Sequence, residues 1–134
     1  MWSATPTHIL DSNLFIDHVK SNDDGAKKIL IQAGKGEIFA SISAYTKFEL
    51  WQGIANRDAR RKYEWATSPC RVIIIDDQIA TRAAELFHKY RGNGPSPGDV
   101  ILAATAEKYD LIIYTRDNDF QLLAQDARIT VRPY

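Results

Sequence analysis

The stretch Leu111-Ile112-Ile113-Tyr114-Thr115-Arg116-Asp117-Asn118-Asp119-Phe120 decides the reading of the fold. Leu111–Tyr114 is bulky and apolar, as a buried strand is. Thr115–Asn118 is polar and turn-like, and Asp119–Ala124 reads as a short helix. A strand therefore ends in two acids and runs into a helix. Upstream, Val100–Lys108 is helical. The loop Gly92-Asn93-Gly94-Pro95-Ser96-Pro97-Gly98 precedes it. Before the loop, Gln78–Tyr90 carries Ile79, Ala83, Leu86 and Phe87 as a helical stripe, and β-branched Arg71–Ile75 reads as a buried strand.

The same alternation continues to both ends. Thr7–Leu10 is a strand candidate followed by helical Ser12–Val19. Asp24–Ala33 is helical and is closed by Gly34 and Gly36. Glu37–Ile42 reads as a strand, Ala44–Ala55 and Arg57–Ala66 as helices, and Ile129–Val131 as the last strand. Alternating strands and helices predict an α/β fold: one domain over residues 1–134, with a central, mostly parallel, twisted sheet. The sheet is expected to be five-stranded, or four-stranded if one short segment stays out, with helices on both faces. In such sheets, ligands bind at the carboxyl ends of the strands.

Composition removes several classes. The chain has 134 residues, 17 Lys+Arg and 17 Asp+Glu, a size that suits one domain and a charge that excludes a generally basic coat protein. No run approaches the roughly 20 apolar residues of a membrane span. Met1–Asn13 has no Lys or Arg and no apolar core, so no signal peptide is expected. Cys70 is the single cysteine, which fits a cytoplasmic setting. His8, His18 and His88 lie too far apart for a paired-histidine zinc motif. Trp2 precedes the first element and carries no reading.

Acids cluster where the sheet's crevice should lie. Asp11 follows the first strand, and Asp117 and Asp119 follow the fourth. Glu49 sits in the apolar setting Phe48, Leu50 and Trp51, and Asp99 opens the helix after the glycine-rich loop. Each has an ordinary explanation. Asp11 and Asp99 suit helix starts as caps or dipole partners. Glu49 could be solvated or ion-paired, and Asp117 and Asp119 could be turn residues. Together they are harder to dismiss, because independent strand ends and a helix start bring carboxylates to one edge. Clustered carboxylates raise one another's pKa, and a divalent cation relieves that conflict. Oxygen ligands suit Mg²⁺ or Mn²⁺. The chemistry that follows is phosphodiester hydrolysis.

These motifs resemble those of PIN-domain nucleases. Leu10-Asp11-Ser12-Asn13 is similar to the family's opening motif, and Ser43-Ala44-Tyr45-Thr46-Lys47-Phe48-Glu49-Leu50 to its glutamate-bearing helix. Gly98-Asp99-Val100-Ile101-Leu102-Ala103-Ala104-Thr105-Ala106 resembles the third motif, and Leu111–Phe120 the fourth. The chain looks most like the VapC-type toxins of toxin–antitoxin pairs. The resemblance implies a Mg²⁺- or Mn²⁺-dependent endoribonuclease that leaves a 5′-phosphate, a homodimer, and a cognate VapB-like antitoxin. It carries over Asp11, Glu49, Asp99 and Asp117 as catalytic acids. Asp11, Asp99 and Asp117 are expected to hold the metal while Glu49 orients water, with Asn13 and Thr115 as supporting polar residues. Many relatives have Asn where Asp117 stands and a later Asp before Phe, so Asp119 is either a partner of Asp117 or an exposed turn acid. The alternatives are a PIN nuclease that processes RNA outside a toxin pair, and a PIN module that binds without cutting.

Arg57, Arg60 and Arg61 form a basic run that could follow RNA phosphates or simply be a solvated helix face. Arg116, beside the acids, is the better single candidate for a substrate phosphate. Trp51 and Trp65 are expected in the core; exposed aromatics there would instead mark an antitoxin groove.

Overall fold

The computed structural model describes residues 5–134; Trp2 lies outside them. Five parallel strands form one sheet: β1 (His8–Leu10), β2 (Ala40–Ser43), β3 (Arg71–Ile73), β4 (Ile112–Tyr114) and β5 (Thr130–Arg132), in the order β3-β2-β1-β4-β5. The chain builds outward from β1 to β3, then returns to the other side of β1 for β4 and β5. The direction of winding thus switches between β1 and β4, and the carboxyl ends of those two strands flank the crevice where such sheets bind ligands.

Strand alternation assigns the two faces. In β1, Ile9 packs with α5 (Asp77–Tyr90), α6 (Pro97–Tyr109) and α7 (Asp119–Leu123). Its neighbour Leu10 faces the other way, against α1 (Ser12–Ser21), α2 (Asp24–Gly34), α3 (Ala44–Gln52) and α4 (Arg57–Thr67). Ile113 of β4 and Phe120 of α7 belong to the first core, and Ile42 of β2, Phe15 and Leu30 to the second. The period of two in the strands thus feeds two helical layers. Among the described residues, no helix is long and apolar enough to cross a membrane.

Three expectations change. The β3 segment is an edge strand and not a buried one: Val72, Ile74 and Ile75 are exposed, because only β2 pairs with it. The second strand begins at Ala40 and not Glu37, since Gly36 takes a positive φ of 76° and the chain is still turning there. Trp65 lies on the surface at 58% exposure, while Trp51 is half-buried against the second core with the Lys47 ammonium over its ring. Cys70 is half-buried, and burial pushes its thiol up to about 12. Asp76 caps α5 and pairs with Lys108, a structural role.

Candidate functional site

Five carboxylates line one cleft of about 270 Å³: Asp11, Glu49, Asp99, Asp117 and Asp119. Its remaining lining is Ser12, Asn13, Thr46, Gly94, Ser96, Gly98 and Leu102. No Lys, Arg, His or Cys is among these described lining residues. The supporting residue Asn13 is exposed at the rim, whereas Thr115 is buried behind the acids.

Local structure aims each side chain. Asp11 occupies the N-cap position of α1, yet its side chain makes no capping bond. Its carboxylate is buried and accepts instead from the Thr115 hydroxyl at 2.7 Å and, more weakly, from Ser12 at 3.4 Å. The helix-cap explanation therefore fails for Asp11. For Asp99 it holds and is incomplete. Ser96 and Asp99 form a reciprocal capping box at the start of α6, with the Asp99 carboxylate accepting from the Ser96 amide at 2.9 Å. The same carboxylate faces the cleft.

Thr115 connects two strand ends. While its hydroxyl donates to Asp11, the Asp117 amide donates to that hydroxyl at 3.0 Å. Asp117 in turn accepts from the Asp119 amide at 2.9 Å, which folds the loop so that both acids point inward. Asp119 is thus no exposed turn acid. One oxygen each from Asp99, Asp117 and Asp119 come within 4.8 Å of one another. The tight trio contains Asp119 where the sequence suggested Asp11; Asp11 lines the same cleft with Thr115 buried behind it.

Burial and neighbouring charge raise Asp11, Glu49, Asp99 and Asp119 above their ordinary values. Burial, with Asp117 and Asp11 nearby, lifts Asp99 to about 6 despite the Ser96 hydrogen bonds. Burial raises Asp11 against the opposing Thr115 bond, with Asp117 adding to the rise. Burial followed by Asp11 and Asp99 raises Glu49, and burial followed by Asp117 raises Asp119. An all-oxygen donor set with no Lys, Arg or His among the described lining residues fits a hard divalent cation.

Two glycines keep the cleft open. A Cβ at Gly98 would sit 3.1 Å from the Tyr45 ring and 3.2 Å from a Glu49 oxygen. One at Gly94, whose φ is 118°, would meet Asp119 at 2.5 Å. Sequence reading also passed over Ser12, Thr46 and Ser96. Ser96 was legible as a capping partner three residues before Asp99; Thr46 carries no such signal.

The basic candidates lie elsewhere. Arg57, Arg60 and Arg61 are exposed on α4, with Arg60 3.7 Å from Glu64, and none lines the cleft. Arg61 instead borders a surface groove with His18, Lys62 and Trp65. Arg116, expected beside the acids, does not line the cleft: its guanidinium forks onto Asp23 with two 2.9 Å bonds.

Residues 8–125 match the sequence model of the PIN domain. No curated protein matches the chain by sequence. Among solved structures, a toxin–antitoxin complex from Klebsiella pneumoniae contains a chain 26% identical, with 84% of this chain and 88% of that one covered and a TM-score of 0.67. VapBC2 from Rickettsia felis, bound to a DNA fragment from its promoter, is 13% identical over 95% of this chain and 98% of that one, with a TM-score of 0.76. DNA-bound VapBC from Salmonella typhimurium is 18% identical over 96% and 98%, with a TM-score of 0.72. The last two likenesses show the shared fold.

Proposed function

The chain belongs to the PIN domain family, and from that premise we propose that it is a metal-dependent endoribonuclease, the toxin of a VapBC-type toxin–antitoxin pair. The observation that carries the reading is the cleft itself: five carboxylates, from the start of α1, from α3, from α6, from the β4–α7 loop and from the start of α7, converge with no Lys, Arg or His among its described lining residues. Asp99, Asp117 and Asp119, with Asp11 lining the same cleft, would hold Mg²⁺ or Mn²⁺. The bound ion supplies the positive charge that lets a phosphodiester approach and polarises its reacting oxygens.

The chain's own residues supply the rest. Glu49 sits at the cleft wall, where burial and the neighbouring Asp11 and Asp99 raise its pKa, and would take the proton of the attacking water at a carboxylate oxygen. Asn13 and Ser12, at the start of α1, present side-chain donors and helix-terminal amides to substrate phosphate oxygens. Thr115 keeps Asp11 oriented. A VapB-like antitoxin as partner is supported by the Klebsiella and VapBC neighbours and by the exposed aromatics Phe48 (62%) and Trp65 (58%), and the toxin is proposed to act as a homodimer. The test is a cleavage assay on structured RNAs with Mg²⁺. Asp11→Asn is expected to keep the fold and abolish cleavage; full activity in that variant sinks the assignment.

A further inference from the structure

Arg116 stands between Thr115, which orients Asp11, and Asp117, yet its side chain leaves the cleft. It ends in a built cluster on the opposite side of the loop. Its two terminal nitrogens donate to the two Asp23 oxygens at 2.9 Å each, and its Nε donates to the Tyr134 main-chain oxygen at 2.7 Å. The guanidinium lies 4.1 Å from the centroid of the Tyr134 ring. The Tyr134 hydroxyl reaches on to Asp17 at 2.5 Å, and Asp17 is also 3.8 Å from Arg116. Gly25 makes room: a Cβ there would stand 2.7 Å from both an Arg116 nitrogen and the Tyr134 carbonyl carbon.

We propose that Arg116 is a positioning residue for the metal centre, acting through a clamp formed with Asp23 and Tyr134. The argument is mechanical. Three separate parts of the chain meet at one guanidinium: the β4–α7 loop, the corner between α1 and α2, and the residues after β5. A bidentate Arg–carboxylate fork is the most geometrically specific ion pair available to side chains. It fixes the one residue that cannot move without moving both Thr115 and Asp117. On the far side of the loop, Asp117 and Asp119 face Asp99 across less than 4.8 Å, a separation that three like charges resist until a cation is bound. The clamp holds the loop in the metal-ready arrangement against that repulsion. Its function is thus to lower the reorganisation needed when the ion binds, as supports behind metal ligands do elsewhere.

This proposal rests on the metal-dependent reading above, and the test separates the two. Mn²⁺ affinity is measured by the disappearance of the free-ion EPR signal, alongside melting of the metal-free protein in EDTA. Arg116→Gln is expected to weaken Mn²⁺ about tenfold or more. Asp23→Asn keeps the oxygen that caps α2 through the Ala26 amide, loses the ion pair, and is expected to weaken binding in the same direction. Tyr134→Phe keeps both the ring and the main-chain oxygen and is expected to stay within about threefold of wild type. If Arg116→Gln does not fold, Asp23→Asn is held to the same threshold. Arg116→Gln or Asp23→Asn melting earlier but binding Mn²⁺ within twofold of wild type overturns the clamp, because a purely structural contact moves only the melting. Wild type that takes up no Mn²⁺ overturns the metal reading and the clamp with it.

Discussion

Replacing Asp99 by Asn should stabilise the metal-free protein while destroying its activity. The wild-type carboxyl titrates at about 6, against an ordinary value of 3.8, chiefly because it is buried. Each unit is about 1.4 kcal/mol, so the ionised form opposes folding by about 3 kcal/mol at neutral pH. A raised acid contributes stability that is intact below its unfolded value and lost as pH rises toward its folded one. The loss therefore falls between about pH 4 and 6. Asn cannot ionise, and its side-chain oxygen can still accept from the Ser96 amide and keep half of the capping box.

Thermal unfolding in EDTA at pH 7.5 is the assay. Asp99→Asn is expected to melt higher, by roughly 5–10 °C if the full 3 kcal/mol is recovered. At pH 4 the difference should nearly vanish, since wild-type Asp99 then carries its proton. Adding Mn²⁺ should reverse the order, because an ion at 1,000 times its Kd stabilises the wild type by about 4.1 kcal/mol and the variant far less. An Asn variant that is no more stable than wild type at pH 7.5, or a gap that persists unchanged at pH 4, refutes the claim that the cleft holds uncompensated charge.

The other expectations can be stated briefly. Gly98→Ala gains helix propensity near the start of α6 but pushes against Tyr45 and Glu49; melting should change by less than a few degrees while RNA cleavage drops severalfold. Thr115→Val removes the hydroxyl bonded to Asp11 and the Asp117 amide, leaves both without their partner, and should cost about 1–3 kcal/mol by urea titration and most of the activity. Phe120→Ala opens a cavity under α7, where the ring is fully buried, and should cost about 3–5 kcal/mol in the same titration.

The sequence disclosed the sheet and its acids because both follow from local rules. Apolar runs such as Leu111–Tyr114 mark strands, and acids just after them fall at the carboxyl edge whatever the loops do. Three features were hidden for definite reasons. The exposure of Val72 and Ile74 depends on β3 being last in the sheet, and strand order is a property of the whole chain. The inward turn of Asp119 depends on one bond from its main-chain amide to the Asp117 carboxylate, which spacing does not reveal. Arg116 looked like a substrate ligand because it adjoins the acids, but its partners Asp23 and Tyr134 are 93 and 18 residues away. Adjacency in sequence placed its backbone correctly and its guanidinium wrongly.

Asp11 and Asp99 show how far a structural explanation can replace a functional one. Both sit at helix starts, where a carboxylate needs no further reason. Asp11 declines the cap and is held by Thr115 from the neighbouring strand, whereas Asp99 accepts the cap and still carries a raised pKa. A cap alone lowers a carboxyl's pKa, because amide bonds and the helix dipole favour the charged form. The rise at Asp99 therefore measures what lies on its other side, the buried cleft and its neighbouring acids. The same cleft alters the meaning of the neutral total. Five of the 17 acids line it, so the other 12 stand against 17 Lys and Arg over the rest of the chain. On the proposed function, a polyanion would meet that net positive remainder, and the acidic cleft would admit a phosphate only with a cation bound in it.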